Sequence, residues 1–315
     1  MKNKLLVLVL LVLCSITLIG CKKEITVESI TIDETTIPSF VLDTDVENYI
    51  KDIKINVNYS DDSKETVNVT KSMLSAEDFN KLQTTGSKEV TISYEGQSVK
   101  VSLSVVNYTV TVLYPDNTPV TSKTNAQWCD EVCYLPVKVN SKGVAGINLK
   151  DGEYFIHLNN IPEGYTYDPN AYIATASSKH VTIKLLPLSE ITNGDGTTAN
   201  PYVLNESVYS VTYEEKGTTG VKYFAFTAEE AGTYKVVSLA TNKLATNLID
   251  PFIGFLGTDV NTSFGSADVS GNVDSKIDIN FNYSFEAVAG TTYYFVVMVS
   301  SADQFPATFD IQITK

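Results

Sequence analysis

Few side chains in this sequence of 315 residues can carry out chemistry. It contains two histidines, His157 and His180, four cysteines and no arginine. Neither histidine has a partner pattern beside it, and no serine lies in a nucleophile-elbow sequence. Carboxylates are plentiful, but scattered acids do not by themselves indicate a glycosidase pair. We therefore predict that the chain is not an enzyme.

Two of the cysteines, Cys129 and Cys133, lie four positions apart, with Asp130, Glu131 and Val132 between them. Such a pair can form a disulfide across a tight hairpin, or it can act as a redox dithiol or as half of a metal site. The redox motif has two intervening residues where this segment has three. Zinc would need two more ligands, which neither neighbouring sequence supplies, so we predict no metal site.

The N-terminus indicates export. Two lysines precede an almost purely apolar run from Leu5 to Ile19, which is too short to span a bilayer comfortably. The run ends in Leu18-Ile19-Gly20-Cys21, which resembles the lipobox of bacterial lipoproteins. The resemblance implies a signal peptide over residues 1–20, cleaved before Cys21, and a lipid on Cys21 that anchors the chain to the outer face of the membrane. The alternative is an uncleaved transmembrane anchor.

Export favours the disulfide between Cys129 and Cys133, because Cys14 leaves with the signal peptide and Cys21 carries the lipid. A loop this short contributes about 2 kcal/mol by the chain-entropy estimate. Trp128, the only tryptophan, is expected to pack against the disulfide.

The composition excludes some classes of partner and indicates the fold class. The formal net charge is −14, and every basic residue is a lysine. Nucleic acid is excluded as a partner, because its binding normally uses a basic face and arginine forks. An anionic membrane surface repels such a chain, so the lipid must hold it there. Eighteen tyrosines and many valines, isoleucines and threonines indicate an all-β protein.

After a short tether at 21–25, the first module (26–106) alternates apolar and polar residues, as in Ile53-Lys54-Ile55-Asn56-Val57. Hairpin turns are predicted at 59–64 and 94–97, and Ser75 is a predicted helix cap. With about seven expected strands, the module resembles bacterial immunoglobulin-like domains. That family implies a β-sandwich that acts mostly as a spacer on cell surfaces.

The second module (107–188) has a strand at 108–113, an Asp151-Gly152 hairpin between 144–149 and 153–158, and then Pro162-Glu163-Gly164-Tyr165. This order resembles the prealbumin-like, Cna protein B-type domains of Gram-positive surface proteins. Many members join a lysine on the first strand to an asparagine on the last. The corresponding strands here lack those residues, so we predict no such crosslink.

The third module (189–315) opens with a segment that has turn formers from Asn193 onward, and residues 189–200 are predicted to be a linker able to hinge. Aromatic strands follow, including Tyr223-Phe224-Ala225-Phe226 and Tyr293-Tyr294-Phe295-Val296-Val297. They resemble the pre-peptidase C-terminal domain, a jelly-roll-like β-sandwich that is sometimes calcium-binding or glycan-binding. This module is expected to be the farthest from the membrane and the best placed to bind.

Candidate ligand contacts are few. Tyr165 and Tyr167 could form a sugar-stacking surface, or they could cap the core of their module. Acids and amides at 193–200 and at Asp259, Asp268 and Asp274 could bind calcium through oxygen. No spacing matches a known calcium loop, so we predict no cofactor and leave calcium as the alternative.

The sequence thus predicts an all-β chain of three β-sandwiches in series after a cleaved signal peptide. We expect a lipid-anchored surface protein that binds an extracellular glycan or protein. One alternative is a non-binding spacer or subunit of a surface assembly. Another is an accessory protein of a secreted hydrolase. The oligomeric state stays open.

Overall fold

The computed structural model describes residues 24–121, 123–169, 171–240, 248–262, 268–269 and 280–315. Strands dominate these residues, and the predicted all-β class is confirmed. The described residues up to Val105 form one compact unit, and Val106–Lys315 form a second. Within the described ranges, no helix is long and apolar enough to cross a membrane.

The first unit is a sandwich of two three-stranded sheets. Its elements are β1 (Val27–Asp33), β2 (Val41–Leu42), α1 (Val46–Ile50), β3 (Lys54–Tyr59), β4 (Lys64–Asn68), α2 (Ala76–Lys81), β5 (Gly86–Tyr94) and β6 (Gln97–Val106). The sheet orders are β1-β3-β4 and β2-β6-β5. In β3, Ile55 and Val57 are buried while Lys54 and Asn56 are exposed. The period-two pattern therefore supplies the core-facing side of each strand.

Local signals in the first unit behave as predicted. Glu95 and Gly96 join β5 to β6 with φ values of 45° and 85°, which is the positive-φ pair of a two-residue hairpin. Ser75 caps α2, and its hydroxyl accepts a hydrogen bond of 3.0 Å from the Asp78 N–H. Helix α1 was not predicted, and the described unit has six strands where about seven were expected.

The second module is a sandwich with its own core. Its main strands are β7 (Tyr108–Leu113), β8 (Asn125–Cys129), β9 (Val137–Lys138), β10 (Val144–Ile147), β11 (Tyr154–Asn159), β12 (Tyr165–Thr166), β13 (Ile173–Ala174), β14 (His180–Lys184) and β15 (Leu186–Ser189). The two sheets have the orders β10-β7-β14 and β13-β11-β8-β9. Buried residues of both sheets, including Tyr108, Trp128 and Ile156, form one hydrophobic cluster between them.

One predicted hairpin in this module is wrong. The turn formers Asp151 and Gly152 do follow β10, but β10 pairs with β7 and β11 pairs with β8. The segment therefore turns the corner from one sheet to the other. Turn residues specify a change of direction, whereas pairing is decided by which strand completes each sheet.

The third module packs two larger sheets around an aromatic core. Its strands are β16 (Tyr202–Leu204), β17 (Val208–Tyr213), β18 (Lys222–Thr227), β19 (Gly232–Leu239), β20 (Ile249–Gly257), β21 (Asp268–Val269), β22 (Asn282–Ala287), β23 (Thr292–Ala302) and β24 (Ala307–Thr314). One sheet has the order β16-β18-β23-β20-β21. The other has the order β12-β15-β17-β24-β19-β22 and includes two strands of the second module.

Strand β15 crosses the predicted boundary between residues 188 and 189. It pairs antiparallel with β12 and parallel with β17, so one sheet continues from the second module into the third. The predicted hinge at 189–200 begins inside this strand. It continues in a turn where the Asp195 and Gly196 N–H groups both donate to the Asn200 carbonyl. The segment is therefore a hydrogen-bonded connection rather than a free linker.

Candidate ligand-binding site

Two turns at one end of the second module place a pair of tyrosines face to edge. In the turn after β7, the Tyr114 N–H donates to the Thr118 carbonyl at 2.9 Å. In the turn before β12, the Tyr165 N–H donates to the Pro162 carbonyl at 3.2 Å, and Gly164 has a φ of 80°. The rings of Tyr114 and Tyr165 lie 5.1 Å apart at 64°. Each ring is half-buried, which leaves part of its surface open to solvent.

These turns form an open cleft of about 470 Å³, here called the tyrosine cleft, lined by Tyr114, Pro115, Asp116, Thr118, Pro162, Glu163 and Tyr165. Apolar ring surfaces thus lie beside two carboxylates that face solvent. Hydrogen bonds from the side chain and the backbone N–H of Thr118 lower the pKa of Asp116, so this carboxylate is ionised over a wide pH range. The tyrosine cleft can therefore contact an apolar face and accept hydrogen bonds at the same time.

A second open cleft of about 770 Å³, the junction cleft, lies between the second and third modules. Glu163 lines both clefts, which makes them neighbours on one surface. Tyr202 and Lys222 provide the far wall, with the Lys222 Nζ 5.5 Å from the centroid of the Tyr202 ring. The turn at 193–201 supports Tyr202, because a Cβ at Gly196 would come within 2.7 Å of its ring.

The two tyrosines proposed from the sequence have different surroundings. Tyr165 lines the tyrosine cleft. Tyr167 is only 7% exposed, and its hydroxyl accepts a hydrogen bond of 2.8 Å from the Leu158 N–H. Burial therefore removes Tyr167 from any stacking surface and leaves it the core-capping role. Tyr114 and Glu163 were not predicted as ligand contacts, although turn formers surround Tyr114 in the sequence.

The proposed calcium ligands do not form a cluster in the described residues. At 193–200, one oxygen of Asp195 accepts hydrogen bonds from the Thr197 N–H and hydroxyl at 3.0 and 2.8 Å. One oxygen of Asp259 accepts from the Asn261 N–H at 2.9 Å. These are hydrogen-bonded turns of the ordinary kind. Asp274 and the side chain of Asp268 lie outside what the structure describes.

Cys129 and Cys133 are joined by a disulfide at the end of β8, with their Cα atoms 4.1 Å apart. Trp128 precedes Cys129 in the same strand, so the two side chains point to opposite faces of the sheet. The indole is fully buried in the core, where Trp128 lies opposite Ile156. The expected packing of Trp128 on the disulfide is thus replaced by packing inside the sandwich.

His157 lies beside this disulfide. In the β8–β11 pairing, Cys129 is opposite Phe155 and His157 is opposite Gln127, so Cys129 and His157 are diagonal neighbours on one face. The Nδ1 atom of His157 is 3.4 Å from the Sγ atom of Cys129, and both residues are buried. This contact was not predicted, because it depends on the strand register between segments 28 positions apart.

The predicted signal peptide and the lipidation residue Cys21 lie outside the described residues. The other histidine, His180, is on the opposite sheet, with its Nδ1 atom 3.0 Å from the Thr109 hydroxyl. The structure therefore brings His157 and the cysteines together and leaves His180 apart from them.

No family model and no curated protein sequence matches the chain. Among solved structures it is similar to the pre-peptidase C-terminal domain of a collagenase from Bacillus anthracis, at 12% identity over 36% of this chain and 92% of that one, with a TM-score of 0.24.

Two longer structures are similar over more of the chain. BcpA, the major pilin subunit of Bacillus cereus, is 11% identical over 66% of this chain, with a TM-score of 0.23. The Bacillus anthracis TIE protein is 13% identical over 77% of this chain, with a TM-score of 0.22. The chain spans 58% of the pilin subunit and 37% of the TIE protein. With TM-scores under 0.5, these likenesses support no conclusion about function.

Proposed function

We propose that this chain is a lipid-anchored protein of a bacterial cell surface and that it binds an extracellular glycan in the tyrosine cleft. The observation that supports this function is the pair of half-buried rings, Tyr114 and Tyr165, set beside the exposed carboxylates Asp116 and Glu163. No catalytic step is assigned to the cleft.

A sugar ring has an apolar face of C–H groups and an edge of hydroxyl groups. The apolar face packs on an aromatic ring, where burial of both surfaces is favourable. The hydroxyls donate hydrogen bonds to carboxylates, and such charge-assisted bonds are among the stronger ones. An open cleft suits one or a few residues of a long chain, which do not have to enter a closed pocket.

The anchor rests on Cys21. Lipid on this residue and release of residues 1–20 would hold the described part of the chain outside the membrane. Cells grown with an alkyne fatty acid should label the original chain, and Cys21→Ser should lose the label and keep residues 1–20. An original chain that carries no label and keeps residues 1–20 would favour the uncleaved transmembrane anchor.

Binding is tested by applying residues 24–315 to a glycan array and to matrix proteins, followed by calorimetry on any ligand that is found. Glu163→Gln should weaken affinity about tenfold or more, because a charged hydrogen-bond acceptor is lost. Glu153→Gln is the matched control, since Glu153 is an exposed acid of the same module outside both clefts. Its affinity should stay within about twofold of the original.

Tyr165→Ala gives an independent reading, provided that the melting temperature shows a folded variant. The variant should bind the same ligand more weakly, because the Tyr165 ring forms the surface on which the sugar packs. If no glycan or protein is retained, or if Glu163→Gln and Glu153→Gln act alike, the cleft is not the site. If the intact chain binds none of the glycans or matrix proteins, the alternative of a non-binding spacer or assembly subunit is favoured.

A further inference from the structure

We infer that Cys129, Cys133 and His157 form a binding site for a thiophilic metal ion, with Zn²⁺ as its ligand, when the disulfide is reduced. The three side chains offer two sulfurs and one imidazole nitrogen, and these atoms all lie within 4.8 Å of one another. This inference does not depend on the proposed glycan site.

The distances suit tetrahedral zinc. Zinc–sulfur bonds of about 2.3 Å and zinc–nitrogen bonds of about 2.0–2.1 Å place a sulfur and a nitrogen ligand about 3.5–3.6 Å apart. The Sγ atom of Cys129 and the Nδ1 atom of His157 are 3.4 Å apart. Two ligands are therefore already near the required spacing while the disulfide is intact.

The third ligand has to move after reduction, and its position in the chain allows that. Cys129 and His157 are fixed by the β8–β11 pairing, whereas Cys133 lies between β8 and β9 and is paired with Cys129 by a single isolated bridge. Two thiolates on one zinc ion sit about 3.8 Å apart. With the Cα atoms 4.1 Å apart, rotation of the Cys133 side chain can supply this separation while the strands stay paired.

The surroundings favour a cation that enters from one side. Cys129 is fully buried and His157 is 9% exposed, whereas Cys133 is partly exposed. Asp130 and Glu131 lie between the cysteines and add negative charge near that opening. Cys129 and His157 thus provide a buried sulfur and nitrogen in a low-dielectric environment, and the partly exposed Cys133 marks the side from which the ion enters.

The reaction balances with a dithiol as the reductant. Thiol–disulfide exchange transfers two electrons and two protons to Cys129 and Cys133, and the reductant becomes a disulfide. Zn²⁺ then displaces the two thiol protons and binds neutral His157 through Nδ1. Water takes the fourth position, as in sites with three protein ligands.

The test uses the full chain in detergent, either oxidised or reduced with a phosphine and desalted, and titrates Zn²⁺ against a colorimetric chelator. We expect one ion for each reduced chain and none for the oxidised chain. Replacing Zn²⁺ with Co²⁺ should give thiolate charge-transfer absorption. The Cys129→Ser, Cys133→Ser double variant keeps the other cysteines and should lose both signals.

His157→Gln should lower the affinity for Zn²⁺ at least about 100-fold, because loss of an outer-shell partner alone costs 10–100-fold. His180→Gln is the matched control and should bind as the original chain does. If His157→Gln does not fold, Cys133→Ser at the partly exposed position supplies the comparison. Equal Zn²⁺ binding by oxidised and reduced chains, or by folded His157→Gln and the original, would overturn the inference.

Discussion

Two buried tyrosines show how much depends on a single hydroxyl. Tyr167 accepts a hydrogen bond from the buried Leu158 N–H. Tyr213 is fully buried, and its hydroxyl has no hydrogen-bond partner within the described part of the chain. Burial raises the pKa of both phenols, so both stay neutral at physiological pH. The two sites differ in hydrogen bonding far more than in burial.

The matched pair of changes to phenylalanine should therefore have different effects on stability. Tyr167→Phe leaves the Leu158 N–H unpaired and should lower the free energy of unfolding by about 1–3 kcal/mol. Tyr213→Phe removes an unpaired group and should leave stability unchanged or higher. Urea unfolding of both variants checks this. A larger loss for Tyr213→Phe would mean that its hydroxyl has an unseen partner.

At the scale of elements, a side chain extends the β7–β10 pairing beyond its backbone ladder. The Asn107 Nδ2 donates to the Leu149 carbonyl at 2.8 Å, and the Leu149 N–H donates to the Asn107 Oδ1 at 3.0 Å. Asn107 is 8% exposed, so solvent cannot replace these bonds fully. One amide thus satisfies two backbone groups at the entrance of the second module.

Asn107→Ala should lower the free energy of unfolding of the second unit by about 2–4 kcal/mol, because two buried backbone groups lose their partner. Asn159→Ala is the control, since Asn159 is exposed and donates to Gln127 at 3.3 Å. We expect that variant to lose less than about 0.5 kcal/mol. Denaturant unfolding followed by tryptophan fluorescence reports on this module, and equal losses would contradict the argument.

A partly buried acid, Asp310, lies where β12 meets the third module. Burial raises the pKa of Asp310, and hydrogen bonds from Thr166 and Ser210 oppose the shift. A raised pKa in the folded state means that folding favours the protonated form. The contribution of Asp310 to the free energy of unfolding is therefore fully present at pH values below its pKa in the unfolded state. It is lost as the pH rises through its pKa in the folded state.

Asp310→Asn keeps the oxygen acceptor and removes the charge. At pH 7 the variant should melt at the same temperature as the original or higher, and this difference should shrink as the pH falls through the folded pKa. Thermal melts from pH 3.5 to pH 8 measure it. Glu229→Gln, at an exposed position, shows the effect of losing one surface charge. A difference that grows on acidification would show that the charged form is the favoured one.

Sequence patterns predicted the elements that rest on local rules. The Glu95-Gly96 hairpin and the Ser75 cap follow from residue types a few positions apart. Strand β20 was missed, because Pro251 and Gly257 interrupt its pattern, and the structure has register shifts at both places. The parallel pairing of β7 with β14 could not be predicted either, since nothing local distinguishes it from antiparallel pairing.

In the candidate site too, local patterns were predicted and contacts between distant residues were not. Tyr165 was selected from its turn, but its partner Tyr114 lies 51 positions away by residue number and meets it only through tertiary packing. His157 and Cys129 meet through strand register. Residue types thus indicated the chemistry available, while partners across the fold required the structure.

On the scale of the whole molecule, the second and third modules share one β-sheet, although the sequence predicts a domain boundary between them. Strand β15 joins β12 to β17, the Leu188 N–H donates to the Gly164 carbonyl at 2.9 Å, and the Ser189 and Ser207 hydroxyls are hydrogen-bonded. Removal of the second module would expose β17 as a new sheet edge, with unpaired backbone groups. The two modules should therefore stabilise each other.

We expect calorimetry of the intact chain to show two unfolding transitions, one for each compact unit, rather than three. A fragment of residues 107–315 should melt in one transition at the temperature it has in the intact chain. A fragment of residues 189–315 lacks β12 and β15, so it should melt at a lower temperature or aggregate. If that shorter fragment instead melts at its original temperature, the third module folds independently, and the predicted boundary at 188–189 is a true domain boundary.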